Sequence, residues 1–427
     1  MFKKYDAYKD SGIDWVGKIP AHWNILKLGS IFEQRNQKVS DKDYPALSVT
    51  KNGIVPQLDN AAKTKDGDNR KLVLKGDFVI NSRSDRKGSS GLSSLDGSVS
   101  LINIVLKPRK IEPKFSHHLM KCNAFIEEYY RVGRGIVADL WTTRFEEMKT
   151  MNLALPSVEE QRQIADFLDQ RLVEIDQAIA IKEQQISLLN ERKQIVIQKA
   201  VTQGLNPNVA MKDSGVEWIG RIPEHWDLLK LKNLALVNPT NTTLVNSLDK
   251  KASVCFLAME SVETNGTVDY SHTRELASVR SGFTSFVKGD VLVAKITPCF
   301  ENGKGAYLDT LQTPIGFGST EFHVLRVKKN CDPKFLYYVT KSHSFMDMGE
   351  GLMIGSAGQK RVPTSFMQNY VVAIPDIATQ IEIVNFIDQR LGEIAEAIDL
   401  QKKQIEKLKE YKTTLINDAV TGKIKVA

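Results

Sequence analysis

The sequence has few cysteines and no long apolar run, and both absences exclude whole classes of protein. The four cysteines, Cys122, Cys255, Cys299 and Cys331, lie far apart and form no C-x-x-C pair. This spacing argues against a disulfide framework or a zinc knuckle and favours reduced thiols. No apolar stretch approaches the roughly 20 residues that span a bilayer, and the segment MFKKYDAYKDSG lacks the apolar core of a signal peptide. We therefore expect a soluble, cytoplasmic protein with no membrane partner.

Signatures of catalysis are also missing. The chain has no G-x-x-x-x-G-K-[ST] phosphate loop, no Gly-rich strand-to-helix fingerprint and no Asn-Pro-Pro-aromatic motif. The triplet EMK at residues 147–149 matches half of a nuclease motif, but ERK at residues 191–193 does too, and no suitably placed Asp accompanies either triplet. His22 and His225 each stand alone beside a tryptophan, which favours a structural role. We expect no catalytic residue, no bound metal and no cofactor in this chain.

What the sequence does contain is ordinary in composition and mildly basic. Its 427 residues are 42% hydrophobic and 26% charged, as expected for a folded chain of two or three domains. There are 58 Lys and Arg against 51 Asp and Glu, for a net charge of +7. This balance is compatible with a nucleic-acid partner but is weak support for one.

An internal repeat organises the whole chain. Residues 9–31 (KDSGIDWVGKIPAHWNILKLGSI) and 212–234 (KDSGVEWIGRIPEHWDLLKLKNL) are identical at thirteen of 23 positions. The halves also end alike, with residues 156–202 resembling 375–421, whereas the middles between these blocks align only in scraps. Such a pattern indicates that the matching blocks form a scaffold with the same role in both copies, which we call the frame. The two diverged middles then bind different targets. Neutral drift of a purely structural duplicate is the alternative interpretation.

Each copy ends in a long segment with the periodicity of a coiled coil. Apolar residues step by alternating four and three from Leu168 and again from Ile387. Polar residues interrupt the two seams at equivalent places, namely Lys182, Lys193, Gln401 and Lys412. The residues predicted at the helix and partner interface are Gln161, Ile164, Leu168, Leu172, Ile175, Ile179, Ile186, Leu189, Gln380, Ile387, Leu391, Ile394, Ile398, Ile405 and Leu408.

The short connection between the copies favours an antiparallel pair of these helices, which would act as a ruler between two globular domains. Further apolar residues beside the seam, such as Phe167, Ile181 and Ile195, widen the stripe beyond what a two-stranded coil needs. This width indicates that helices of other subunits dock on the pair. Ordinary amphipathic helices packed on their own domains are the alternative.

The diverged middles combine short strand-like runs with helical stretches near residues 114–131 and 333–347. We therefore predict an α+β fold: two globular mixed α/β domains joined by two long helices in an antiparallel intramolecular coiled coil, with a pseudo-twofold internal repeat. The predicted parts are residues 1–155 (first globular domain), 156–203 (central helix), 204–374 (second globular domain) and 375–427 (C-terminal helix).

Basic and amide side chains in the loops of both middles are the candidate DNA contacts, because Arg and Lys neutralise phosphates and Arg, Asn and Gln can read base edges. Solvated loop charge is the alternative for any one of them. In the first domain they are Lys63, Lys65, Arg70, Lys71, Asn81, Arg83, Arg86, Lys87, Arg134 and Arg144. In the second they are Arg274, Lys295, Asn302, Lys304, Gln359, Lys360 and Arg361.

The block D-S-G-x-x-W-x-G-x-I-P-x-H-W before each middle, and P-x-x-x-x-Q-x-x-I…D-x-R-L-x-E-I at each helix start, resemble specificity subunits of Type I restriction–modification systems. The resemblance covers the whole chain. It implies two target recognition domains that each read half of a bipartite DNA site, and helices that set the gap. It also implies two methyltransferase subunits and restriction subunits as partners, with S-adenosylmethionine, ATP and magnesium held by those partners. Only frame residues carry over: Trp15, Pro20, Trp23, Gln161, Ile164, Asp169, Arg171, Leu172 and their second-copy counterparts.

Two rival functions stay open on the sequence. A coiled-coil adaptor with two protein-binding modules would explain the repeat without DNA, and a self-contained metal-dependent nuclease would use Glu147 and Lys149. DNA affinity that falls steeply with salt would favour recognition over the adaptor.

Overall fold

A computed structural model describes residues 2–59, 67–135, 141–356 and 358–426 of the chain. The chain divides into two compact units. The first contains the described residues up to Glu183 and from Lys402 onward, and the second is Gln184–Gln401. Each unit therefore holds one globular domain, the beginning of one long helix and the end of the other. No helix among the described residues is both long enough and apolar enough to cross a membrane.

Two long helices, Val158–Gln203 and Ile377–Val420, follow the predicted periodicity. In the first unit, Lys182 Nζ donates to Gln404 Oε1 and Lys412 Nζ donates to Asp176 at 2.6 Å. Residue numbers rise along one helix as they fall along the other, so the helices are antiparallel there. Lys182 and Lys412 are polar seam residues, and each makes a bond between the helices. The predicted α+β class with paired long helices is confirmed.

Short strands build the globular domain of the first unit. A four-stranded antiparallel sheet has the spatial order Ser90–Leu92, Phe78–Asn81, Asn103–Pro108, Phe32–Gln34. A three-stranded sheet has the order Gly97–Val99, Arg70–Val73, Lys38–Val39, and Leu47–Thr50 forms a hairpin with Gly53–Pro56. The helices of this domain are Leu28–Ile31, Pro113–Lys121, Asn123–Arg131 and Phe145–Met148, with a 3₁₀ turn at Ser84–Arg86.

The domain of the second unit repeats the four-stranded sheet and adds a different one. Its repeated sheet has the order Ala235–Val237, Phe322–Val327, Val291–Ala294, Gly305–Tyr307. The other sheet has the order Thr273–Glu275, Ser253–Leu257, Gly316–Gly318, Thr284–Phe286, with its middle two strands parallel. Its helices are Leu231–Leu234, Thr242–Ser247, Leu276–Val279, Pro333–Thr340, His343–Gly351 and Thr364–Asn369, with a 3₁₀ turn at Met259–Ser261.

A two-stranded ladder connects each globular domain to the hairpin before it and the long helix after it. The ladder has the same register in both units, and we call it the neck. In the first unit Asn24–Lys27 pairs with Asn152–Leu155, and in the second Asp227–Lys230 pairs with Val371–Ile374. Before each neck lies a hairpin, Tyr8–Asp10 with Lys18–Pro20 or Met211–Asp213 with Arg221–Pro223. The tryptophan that follows each hairpin, Trp23 or Trp226, is fully buried in the core that the domain shares with the long helices of its unit.

Candidate nucleic-acid interface

Two basic segments of the first domain lie side by side because one residue pairs with both. The backbone of Thr142 forms antiparallel bridges with Arg83 and with Arg134, and the Thr143 N–H donates to the Ser82 carbonyl at 3.0 Å. The loop after strand Phe78–Asn81 is thereby joined to the segment after helix Asn123–Arg131. Residues that are about fifty positions apart in the sequence form one surface.

The side chains on this surface are basic and accessible. Arg83, Arg86, Lys87, Arg134 and Arg144 are all exposed, and Trp141 among them is 38% exposed. Lys87 pairs with Glu127 at 2.5 Å, and Arg134 Nε lies 3.8 Å from Glu147. The cations of these pairs are accessible, with the Lys87 side chain 44% and the Arg134 side chain 84% exposed, so neither pair holds its cation away from an approaching phosphate. We name these five basic residues and Trp141 the first basic cluster.

The second domain builds the same arrangement from different residues. Arg361 forms antiparallel bridges with Ile296 and with Ile354, and the Val362 N–H donates to the Lys295 carbonyl at 2.8 Å. These contacts match those of Thr142 and Thr143 in the first domain, one for one. The loop 295–304 follows strand Val291–Ala294, as the loop 82–89 follows Phe78–Asn81. The two middles therefore share a loop architecture although their side chains differ.

Amide and basic side chains collect on this second surface. Asn302, Gln359 and Lys360 are exposed, and Lys295 is half-buried. Arg361 is held by Glu321 at 2.9 Å, and this hydrogen bond lowers the pKa of the Glu321 carboxyl. We name Lys295, Asn302, Gln359, Lys360 and Arg361 the second basic cluster.

A polar cleft of about 400 Å³ adjoins Lys295. Asn238, Asn241, Arg280 and Phe283 are among the residues that line it. Amide groups, a guanidinium and an exposed aromatic edge are groups that contact bases in other proteins. The sequence interpretation missed this cleft, although the turn N-P-T-N at residues 238–241 was a signal for a polar loop.

Four predicted contacts serve the fold instead of presenting a free polar group. Arg70 is 3% exposed and bonds Ser98 Oγ at 2.8 Å, and Lys71 donates to the Asn103 carbonyl at 2.7 Å while burial lowers its pKa. Asn81 is buried and accepts the Arg83 N–H, and Lys304 donates to the Met259 carbonyl at 3.0 Å. A basic residue on a strand faces inward when a buried carbonyl or hydroxyl needs a donor.

Three further candidates lie outside the two clusters. Arg274 is on the edge strand Thr273–Glu275, where its guanidinium stacks 3.7 Å from the centre of the Phe256 ring. Lys63 and Lys65 lie outside the described residues. We therefore assign neither lysine to a DNA contact.

The predicted interface residues fall into two groups. Leu168, Ile175, Ile387, Ile394, Ile398 and Ile405 are buried, and Leu172, Ile179, Ile186, Leu189, Leu391 and Leu408 are half-buried. Gln161, Ile164 and Gln380, which are also predicted at the helix and partner interface, are buried where a long helix meets its own domain. Gln161 accepts the Glu112 N–H at 2.8 Å and donates to the Pro156 carbonyl, and Gln380 does the same with Asp332 and Pro375. One amide thus satisfies both a donor and an acceptor at a buried helix start.

Apolar side chains remain exposed on the long helices of each unit. In the first unit Val173 and Ile181 are each 56% exposed, and in the second unit Leu188, Ile195 and Leu400 are also exposed. Ile181 and Ile195 are two of the seam-flanking residues that predicted a wider stripe. We name these five residues the outer apolar residues.

The nuclease-like triplet has a structural use. The Glu147 carboxylate accepts the Arg144 N–H at 3.1 Å, at the start of helix Phe145–Met148, and Lys149 pairs with Glu146. Within the part of the chain that the structure describes, no group of three or more His, Cys, Asp or Glu side chains could hold a metal ion.

Known proteins match both copies of the repeat. The family model for the Type I restriction modification DNA specificity domain matches residues 20–191 and 223–410. The specificity subunit of the Type I restriction enzyme EcoEI from Escherichia coli is 36% identical over 167 residues, which are 38% of this chain and 27% of that subunit. The MjaVIII specificity subunit from Methanocaldococcus jannaschii is 23% identical over 437 residues, covering 96% of this chain and 94% of that subunit.

A solved structure concerned with complex assembly and conformational transition of the type I R-M system has the same fold. It superimposes with a TM-score of 0.67 at 14% identity, covering 94% of this chain and 98% of that one. The alignment with the EcoEI subunit spans little more than a quarter of that relative's length.

Proposed function

The chain belongs to the family of Type I restriction–modification DNA specificity subunits, and from this premise we propose that it recognises a two-part DNA site, one half with each globular domain. It is the non-catalytic component, since its relatives are specificity subunits of restriction enzymes. Under this proposal methyl transfer and cleavage are carried out by partner subunits. A DNA target also implies work in the cytoplasm.

The shared loop architecture is the observation that carries the proposal. Thr142 and Arg361 each join two loops by the same pair of bridges, and each junction is surrounded by exposed basic or amide side chains. Equivalent placement with different side chains is what two domains need if they dock alike on the DNA backbone and read different bases. We expect the first and second basic clusters to contact the two half-sites.

The long helices are the proposed spacer. Val158–Gln203 has 46 residues and Ile377–Val420 has 44. Linking two modest half-site interactions raises the effective concentration of the second once the first has formed, provided that the gap matches the spacer. The spacer would therefore select the gap between half-sequences and contribute nothing to their identity.

In each unit, the outer apolar residues are the proposed docking positions for partners. Contiguous exposed apolar patches mark interaction surfaces. Because the frame occurs twice, we propose that two methyltransferase subunits bind, one for each copy, and that restriction subunits join this core. S-adenosylmethionine, ATP and magnesium would then be held by the partner subunits.

Mapping of methylated positions tests the proposal directly. The full chain is assembled with its methyltransferase partner, and a random DNA library is incubated with S-adenosylmethionine and sequenced for methylated bases. We expect methylation within one asymmetric, two-part sequence with a constant gap, and affinity for that sequence that falls steeply with salt. Methylation without a sequence preference, or no affinity for duplex DNA in the assembled complex, would favour the adaptor instead.

A further inference from the structure

The two globular domains share a lysine at the end of equivalent helices, although their sequences align only in scraps. Helix Pro113–Lys121 ends at Lys121, and helix Pro333–Thr340 ends beside Lys341. Both helices begin with Pro-Lys-Phe, and counting from that motif places Lys121 and Lys341 at the same position. Lys341 is 8% exposed, and Lys121 is half-buried.

Each of these ammonium groups donates to two backbone carbonyls from two separate loops. Lys121 Nζ lies 2.6 Å from the Lys51 carbonyl and 3.2 Å from the Gly88 carbonyl. Lys341 Nζ lies 3.0 Å from the Thr264 carbonyl and also bonds the Gly303 carbonyl.

The acceptors are equivalent in the two domains. Lys51 begins the turn K-N-G of hairpin Leu47–Thr50 with Gly53–Pro56, and Thr264 begins the turn T-N-G between the bridged residues Val262 and Val268. The glycine of each turn has a positive φ, +115° at Gly53 and +91° at Gly266, which only glycine adopts readily. Gly88 and Gly303 lie near the ends of the loops that carry Arg83–Lys87 and Lys295–Asn302.

Packing alone does not explain a charge at these positions. Desolvation lowers the pKa of Lys341 to about 7 and also lowers the pKa of Lys121, so removing either ammonium group from water is costly. An apolar side chain of similar length would fill the space without that cost. What the ammonium adds is several N–H donors on one atom, which can bond carbonyls of two loops at once.

We propose that Lys121 and Lys341 are positioning residues for DNA recognition, each tying a hairpin turn to the loop that bears the basic cluster of its domain. The proposal rests on the proposed function of these clusters. A loop held in place before DNA arrives keeps its base-reading side chains in register and loses less entropy on binding. Each lysine acts only on the half-site that its own domain reads.

The test replaces each ammonium with an apolar side chain of similar length. Full-length Lys121→Met and Lys341→Met chains are assembled with the methyltransferase partner. Methylation rates are then measured on the mapped site and on sites with single base changes in either half. We expect each variant to lose roughly tenfold in discrimination at one half-site, the loss of one well-placed base contact, and none at the other. Lys→Arg at the same positions should restore part of the discrimination.

Matched controls separate positioning from general destabilisation. Phe115→Leu and Phe335→Leu alter fully buried residues on the same two helices, away from the lysine contacts. If these variants lose half-site discrimination as much as the lysine variants do at equal loss of thermal stability, the proposal is wrong. It is also wrong if discrimination in Lys121→Met and Lys341→Met equals that of the parent chain.

Amide hydrogen exchange of the free chain gives a readout that does not depend on DNA. Lys121→Met should speed exchange at residues 51–53 and 83–88, and Lys341→Met at residues 264–266 and 296–303. Unchanged exchange in these loops would overturn the positioning role whatever the DNA result. If the parent complex shows no sequence preference while exchange changes as expected, the loops are tied but the proposed function fails, and the recognition role of the lysines fails with it.

Discussion

His117 ties helix Pro113–Lys121 to the neighbouring sheet in its neutral form. Its Nδ1 accepts the Leu92 N–H at 3.2 Å, and burial lowers the pKa of the ring to about 4. The unfolded chain binds this proton near the ordinary pKa of 6.5. Lowering the pH from about 6.5 to about 4 therefore favours the unfolded state, and costs up to about 3 kcal/mol of folding free energy.

Urea unfolding of the full chain at a series of pH values checks this prediction. His117→Gln retains an acceptor for the Leu92 N–H but does not titrate. Its free energy of unfolding should fall less than that of the parent chain between pH 6.5 and 4, by about the same 3 kcal/mol. Parallel declines in the two proteins would show that His117 is not responsible.

Arg83 and Arg86 are the two exposed arginines on the loop 82–89, which also carries Lys87 of the first basic cluster. If both neutralise phosphates, Arg83→Ala with Arg86→Ala should make the slope of log affinity against log salt shallower by about two. Binding of the assembled complex to the mapped site, titrated at several salt concentrations, measures this slope. The double variant Arg109→Ala with Arg162→Ala removes the same charge from exposed positions outside the cluster. An equal change of slope in that control would refute a local role for the loop.

Single side chains were the part of the site that the sequence predicted least well. Arg70 and Lys121 are both basic residues, and the sequence interpretation counted Arg70 as a DNA contact and passed over Lys121. The structure buries the Arg70 guanidinium on Ser98 and uses Lys121 to join two loops. Whether a cation faces water or a buried carbonyl depends on which loops fold over it, and that is a long-range contact. The sequence did contain a signal that the two turns bonded by Lys121 and Lys341 are equivalent, because T-K-N-G-I-V at 50–55 recurs as E-T-N-G-T-V at 263–268.

Elements with a sustained period were predictable, and short ones were not. The heptad steps predicted both long helices, because more than six turns of one periodicity have no other regular solution. Residues 71–82 (KLVLKGDFVINS) have the composition of one strand-like run, but the turn at Gly76 divides them between two different sheets. The parallel pairing of Ser253–Leu257 with Gly316–Gly318 joins residues about sixty positions apart, which no local pattern encodes.

The length of the long helices should set the gap between half-sequences. One heptad inserted after Glu183 and another after Gln401 would lengthen both helices by about 10 Å, or about three base pairs. We expect the methylation map to show a longer preferred gap with both half-sequences unchanged. A heptad inserted into only one helix puts the two seams out of step and should weaken assembly. A constant gap in the double insertion would refute the spacer.

At the scale of the whole molecule, the repeat separates what holds a domain from what the domain reads. The Asp169 carboxylate pairs with Lys114 at 3.0 Å and with His118 at 2.8 Å. The Asp388 carboxylate pairs with Lys334 at 2.6 Å and accepts a hydrogen bond from the Tyr338 hydroxyl. The two glutamine contacts at the helix starts are equivalent as well. The bonds by which Gln161 and Asp169 attach the first domain to its long helix therefore recur at Gln380 and Asp388, where Gln380 Nε2 adds a bond to the Asn330 carbonyl at 3.2 Å. We expect the domains to be interchangeable on the frame.

Exchange at the necks tests this directly. Replacing Asn24–Leu155 with Asp227–Ile374 keeps the four-residue ladder in register, and brings Asp332, Lys334 and Tyr338 to Gln161 and Asp169. The resulting chain carries two copies of the second domain. We expect its methyltransferase complex to modify a site made of two copies of the second half-sequence and to ignore the original site. The reciprocal exchange should select two copies of the first half-sequence. Continued methylation of the original asymmetric site by either chain would show that the middles do not carry specificity, because only the frame would be common to the parent and both exchanged chains.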